Sequence, residues 1–182
     1  EMLSTGIEMY KNGYMDDSLR ILASFREKYP SSQYLDTARI WTGRVYLRKL
    51  DYAKAMEEFG SIAETSGEFP AALFENAGCY VTKGETNRAI EAYTRLSVRF
   101  PTHPKADDAL LRLADLYGRS GHGNEAVGAA IRIIRDYPDR DLVDDAYYYL
   151  GHIYETDPAI RDFDLSRRFY RLFMKKAGEG VP

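Results

Sequence analysis

A chain of 182 residues with a formal net charge of −3 and a pI near 5.7 has no electrostatic footprint for a polyanion, which argues against a nucleic-acid partner. No stretch reaches the roughly 18 uncharged apolar residues that a membrane span needs, so no membrane insertion by this segment is expected. Cys79 is the single cysteine, which excludes an internal disulfide and fits a reducing or an oxidising compartment equally well.

Read in chain order, the apolar spacing predicts five pairs of helices: 2–12 and 15–29, 33–48 and 51–65, 70–83 and 86–99, 104–119 and 123–137, then 141–156 and 162–177. Turn signals divide three of the pairs, at Asn12-Gly13, Lys83-Gly84 and Gly121-His122-Gly123. The aromatic–proline pairs Tyr29-Pro30, Phe100-Pro101 and Tyr137-Pro138 end the trailing helices, because proline lacks an amide donor and disfavours helix in the residue before it. From each such proline the same cadence runs: Ala38, Gly43 and Tyr46, then Ala109, Ala114 and Tyr117, then Ala146, Gly151 and Tyr154. Phe69-Pro70 followed by Gly78 is a shortened copy. The small residues Gly6, Gly43, Gly78, Ala114 and Gly151 stand 37, 35, 36 and 37 residues apart, a period that signals a helical solenoid. They should let paired helices approach closely, with the tyrosines filling the wider gap beside them.

A small residue, a tyrosine three later, an alanine about nine further on and an aromatic four after that together resemble the tetratricopeptide motif over nearly the whole chain. The resemblance implies an all-α, right-handed solenoid forming one array over 1–182, with repeats at about 1–31, 32–69, 70–101, 102–138 and 139–178. The run from Phe100 to Leu113 is similar to the repeats of the bacterial Tol–Pal-associated cell-division coordinator. It is also similar to those of the five-repeat lipoprotein of the outer-membrane β-barrel assembly machine. These likenesses imply a periplasmic or envelope-associated adaptor. The chain departs from the pattern in three places: the third repeat lacks the linker, Arg39 replaces an expected aromatic, and no trimerisation coiled coil precedes the repeats. It begins at Glu1 without a leader pattern, so it reads as a processed product or an excised segment.

In this architecture the leading helices line the concave groove. The groove positions hold Ile40, Trp41, Arg44, Leu47 and Arg48 in the second repeat and Glu75, Asn76, Cys79, Thr82 and Lys83 in the third. Leu111, Arg112, Asp115 and Arg119 follow in the fourth, and Tyr148, Tyr149 and His152 in the fifth. Arginine and aromatic side chains most often dominate binding energy, so Trp41, Arg44, Arg48, Arg112 and Tyr148 are the expected main contacts. The competing reading of Trp41 is core packing between the first two repeats. Asn76 and Arg112 match positions of the carboxylate clamp of the eukaryotic chaperone adaptors. Arg44 and Asp108 do not match, which argues against that ligand.

Nothing in the sequence supports catalysis, a cofactor or a metal site. Asp107-Asp108 and Asp144-Asp145 are adjacent on a helix and point about 100° apart, so they read as first-turn residues favoured by the helix dipole and not as a dyad. His103, His122 and His152 lack metal-ligand spacing. In the last helix Phe163, Tyr170 and Phe173 form the expected core stripe, while Leu165, Phe169 and Leu172 form a second apolar row. An array that stopped there would lack a polar cap, so a partner, a second copy or further chain is expected to cover the row. The sequence therefore predicts a non-enzymatic protein-interaction scaffold whose partner is a protein or peptide segment of the bacterial envelope. The alternatives are a homo-oligomerisation module joined through the last helix, and the regulatory part of a longer polypeptide.

Overall fold

The computed structural model describes residues 1–179, so the last three residues of the expected 1–182 array lie outside it. Its described residues form ten helices and no strand. They are α1 (Met2–Lys11), α2 (Met15–Lys28), α3 (Leu35–Arg48), α4 (Tyr52–Gly60), α5 (Phe69–Thr82), α6 (Thr86–Arg99), α7 (Ala106–Arg119), α8 (Gly123–Asp136), α9 (Leu142–Thr156) and α10 (Phe163–Glu179). Two compact units result, Glu1–Ala92 and the remainder from Tyr93, and the division falls inside α6.

Four of the five turns within pairs use one device. The amides of Tyr14, Asp51, Glu85 and His122 donate to the carbonyls of Met9, Tyr46, Tyr80 and Tyr117, each at 2.9 Å. This six-to-one bond closes a Schellman motif and requires a left-handed residue just past the helix. Glycine supplies it at Gly13, Gly84 and Gly121, with φ of 87°, 74° and 74°. The second repeat has no glycine there, and Leu50 takes φ 60° in its place. The fifth pair differs: Asp157 precedes Pro158, leaves the helix at ψ 115°, and a longer connection carries the chain to α10.

One expected boundary is corrected. α4 ends at Gly60 and not at 65, because Ser61, Thr65, Ser66 and Gly67 favour turns over helix. The Ser61 hydroxyl donates to the Glu58 carbonyl, and Ser66 Oγ accepts from the Glu68 amide. Pro70 sits in the first turn of α5, in keeping with the expected 70–83 helix, where its missing donor costs nothing.

In the N-terminal unit α1 packs on α2 and α3, α2 on α3, α3 on α4, and α4 on α5. Leu22, Phe25, Ala38 and Val45 form a buried cluster there. Gly6 and Gly43 permit the close approach anticipated for them. A Cβ on Gly6 would lie 3.0 Å from Leu22, and one on Gly43 would lie 2.5 Å from the Phe59 ring. In the C-terminal unit α7 packs on α8, α8 on α9, and α9 on both α7 and α10, around Leu110, Leu113, Ala130, Ile133, Ala146 and Leu150. Gly151 receives the Tyr170 ring as Gly43 receives Phe59.

Successive linkers in this unit are also hydrogen-bonded. The Tyr137 hydroxyl donates to the Pro101 carbonyl at 2.7 Å, and Arg140 donates to the Pro104 carbonyl at 3.1 Å. Arg140 also reaches the Asp107 carboxylate at 3.2 Å. Asp107 is only 3% exposed, and its place in the first turn is held by the partly exposed Arg140 guanidinium as well as by the helix dipole.

Candidate protein-binding surface

Each unit presents the outer positions of its leading helices, and the two sets differ in how far their side chains are already engaged. In the N-terminal unit Trp41 is partly buried against the core cluster and packs edge-on to Tyr10, with ring centroids 5.2 Å apart. Arg44 lies over the Trp41 ring at 4.7 Å and makes an ion pair with Glu75 at 2.7 Å. Arg48, exposed, lies over Tyr10 at 4.8 Å. Lys83 pairs with Glu85 at 3.0 Å. Asn76 is half-buried, with its Oδ1 lacking a hydrogen-bond partner. Ile40 and Cys79, expected in the groove, are core residues at the backs of their helices.

In the C-terminal unit Leu111, Arg112 and Asp115 of α7 and Asp145, Tyr148 and Tyr149 of α9 line a cleft of about 320 Å³. Tyr149 is fixed by its hydroxyl, which donates to the Ala114 carbonyl at 2.5 Å and closes over Gly118. Burial raises its pKa to about 12. Tyr148 is 51% exposed and forms the open wall, held by Phe173 and Tyr170 at centroid distances of 5.5 and 5.7 Å and by the parallel His152 ring. Arg112 is exposed and has no acidic partner among the described residues. Arg119 pairs with Asp115 at 3.5 Å. The structure thus brings together Arg112, Tyr148 and Tyr149 of the expected contacts. It adds Asp145, which sequence reasoning assigned to the helix dipole alone.

At the chain's last helix the two expected rows exchange roles in part. Phe163, placed in the core stripe, is 56% exposed, and Ser166 is buried in its stead. Phe169 stacks on Tyr154 and Tyr147, and Leu165 and Leu172 are half-buried, so this row is partly consumed against α9. Burial lifts the Cys79 thiol to about 11, away from nucleophilic character, and no metal-holding cluster occurs among the described residues.

The sequence model of the YfiO family, described as an outer membrane lipoprotein, matches residues 67–169, more than half of the chain. The chain belongs to the YfiO outer membrane lipoprotein family. No curated protein matches it. Among solved structures it is similar to MamA of Desulfovibrio magneticus, at a TM-score of 0.77 and 11% identity, covering 100% of this chain and 96% of that one. It is also similar to a tetratricopeptide repeat protein of Parabacteroides merdae, at 0.74 and 18%, covering 99% and 67%. Pseudomonas aeruginosa pilF follows at 0.76 and 14%, covering 96% and 74%. The fold is therefore that of the tetratricopeptide α-solenoids. The YfiO match takes in α5 to α9, and with them every residue of the Arg112–Tyr148 cleft. No helix among the described residues is long and apolar enough to cross a membrane.

Proposed function

We propose that this YfiO-family protein is a non-enzymatic scaffold of the bacterial envelope, holding a segment of a partner protein in the cleft between α7 and α9. The observation that carries this reading is the pairing of an exposed tyrosine, Tyr148, with a guanidinium that has no internal carboxylate, Arg112. Such a pair offers a flat apolar contact beside an unspent donor fork, the combination that anchors partner side chains. The Asp115 and Asp145 carboxylates at the rim would orient a segment of mixed charge. Arg48 and Trp41 are the corresponding contacts proposed in the N-terminal unit. Envelope localisation is supported by the family description and by the likeness of the Phe100–Leu113 linker to envelope repeats.

The test is capture from a bacterial envelope extract by this chain and by an Arg112→Glu/Tyr148→Ser variant. Arg112 is exposed and Tyr148 half exposed, and an unchanged thermal melt of the variant confirms the fold. Loss of one captured envelope protein by roughly 30-fold, in keeping with a hot spot of about 2 kcal/mol, is expected. Equal capture by both proteins would move the site away from this cleft.

A further inference from the structure

Charge is unevenly distributed along this chain. α10 carries Arg167, Arg168, Arg171, Lys175 and Lys176 against Asp164 and Glu179, a net +3. The whole chain carries −3, so everything outside α10 sums to −6. The basic residues are also sorted by face. Ser166, Phe169, Tyr170 and Phe173 turn toward α9, and Lys176 approaches Asp144 there at 3.8 Å. Arg167, Arg168, Arg171 and Lys175 are exposed on the opposite face. Arg167 is paired with Asp164 at 3.4 Å, whereas Arg168 and Arg171 have no acidic partner among the described residues. Phe163 and Met174, exposed at 56% and 67%, lie along one edge of this exposed face, on the Arg167 side, eleven residues and therefore about three turns apart.

We propose that this outer face of α10 is a peripheral docking surface for an anionic lipid bilayer, with the guanidinium groups meeting lipid phosphates. A patch for an acidic protein segment would need only the cations. Two large exposed apolar side chains along one edge of the cations are the further element that a headgroup layer accommodates, with rings and thioethers below the phosphate level. The negative remainder of the chain is repelled by the same surface, so α10 is the element turned toward it. This contact is separate from the α7–α9 cleft and does not depend on a protein partner.

The test is co-sedimentation of the 182-residue chain with phosphatidylcholine vesicles and with vesicles containing about 30% phosphatidylglycerol, at low salt and at several-fold higher salt. Binding only to the anionic vesicles, weakened by salt, is expected. Arg168→Glu/Arg171→Glu should weaken it at least ~tenfold, Arg168→Gln/Arg171→Gln by less, and Phe163→Ser/Met174→Ser should also weaken it. All six substitutions are at exposed positions, and an unchanged thermal melt confirms the fold. Equal binding to neutral vesicles, no binding to either, or charge reversal without effect would overturn the proposal. Retention on immobilised polyglutamate without vesicle binding would overturn it too, and give the face to an acidic protein segment.

Discussion

The leading helices of the two units carry the same repeat template, yet Arg44 of the one is spent internally while Arg112 and Tyr148 of the other are left open. In the N-terminal unit Arg44 is paired with Glu75 and stacked on Trp41, and Arg48 rests on Tyr10. In the C-terminal unit Arg112 has no carboxylate partner among the described residues, and Tyr148 stands half in solvent. A template position decides which way a side chain points. Whether it is free to bind is decided by its neighbour one repeat away, which the template does not specify.

The largest test of that comparison is at the glycines beneath both faces. Gly43→Val must displace the buried Phe59 ring, which has nowhere to go, and should destabilise by about 3 kcal/mol. Gly151→Val meets the Tyr170 ring, which is less buried and belongs to the last described helix, so a loss of about 1 kcal/mol is expected. Urea titrations of the two variants rank them, and an equal loss would show that the two rings are equally confined.

Next comes the buried hydroxyl of the open face. Tyr149→Phe removes the bond to the Ala114 carbonyl and should cost about 1 kcal/mol near neutral pH. Its folded pKa of about 12 lies above the ordinary 10.0, so the native state holds this proton more tightly than the unfolded chain. The stability it contributes is therefore full below about pH 10 and is lost as pH rises toward about 12. Tyr170, raised to about 12 by burial and by its hydrogen bond to Glu155, acts in the same direction. Tyr149→Phe should flatten part of this alkaline slope and the Tyr149→Phe/Tyr170→Phe pair more of it. An unaltered slope between about pH 9.5 and 11.5 would deny the role of both groups.

An effect of similar size is expected on the closed face. Arg44→Glu would confront Glu75 with a like charge and strip Trp41 of its cation, at a cost of about 1–2 kcal/mol in the N-terminal unit. Arg112→Glu, with no internal carboxylate among the described residues, should change stability by less than about 0.5 kcal/mol. A thermal melt of each separates stability from binding, and comparable shifts in both would erase the distinction between the faces.

The helices and their packing were legible because the signals are local: periodic apolar residues, glycine before a trailing helix, proline after it. The close approaches at Gly43 and Gly151 follow from one residue type with one physical use. The ion pairs Arg44–Glu75 and Arg140–Asp107 span more than thirty residues between flexible side chains, and no periodicity encodes them. Phe163 was misplaced because a stripe can be drawn through either of two neighbouring faces of an aromatic-rich helix. The long α9–α10 connection chose between them, putting Ser166 inside.

Leu50 is the point where a local rule was broken, and it sharpens the comparison at the smallest scale. Gly121 closes the turn of the C-terminal unit without strain, while the equivalent turn at Leu50 holds a branched side chain at φ 60° with 70% of its surface exposed. A left-handed non-glycine residue costs roughly 1–2 kcal/mol, and this side chain recovers little of it by burial. Glycine there would relieve the backbone but add entropy to the unfolded chain, so the two effects largely cancel. Asparagine tolerates the conformation without that entropy, and Leu50→Asn should stabilise the N-terminal unit by about 0.5–1 kcal/mol. An equal gain from Leu50→Ala, which keeps the strain and removes only the exposed apolar surface, would place the cost in the side chain and not in the turn.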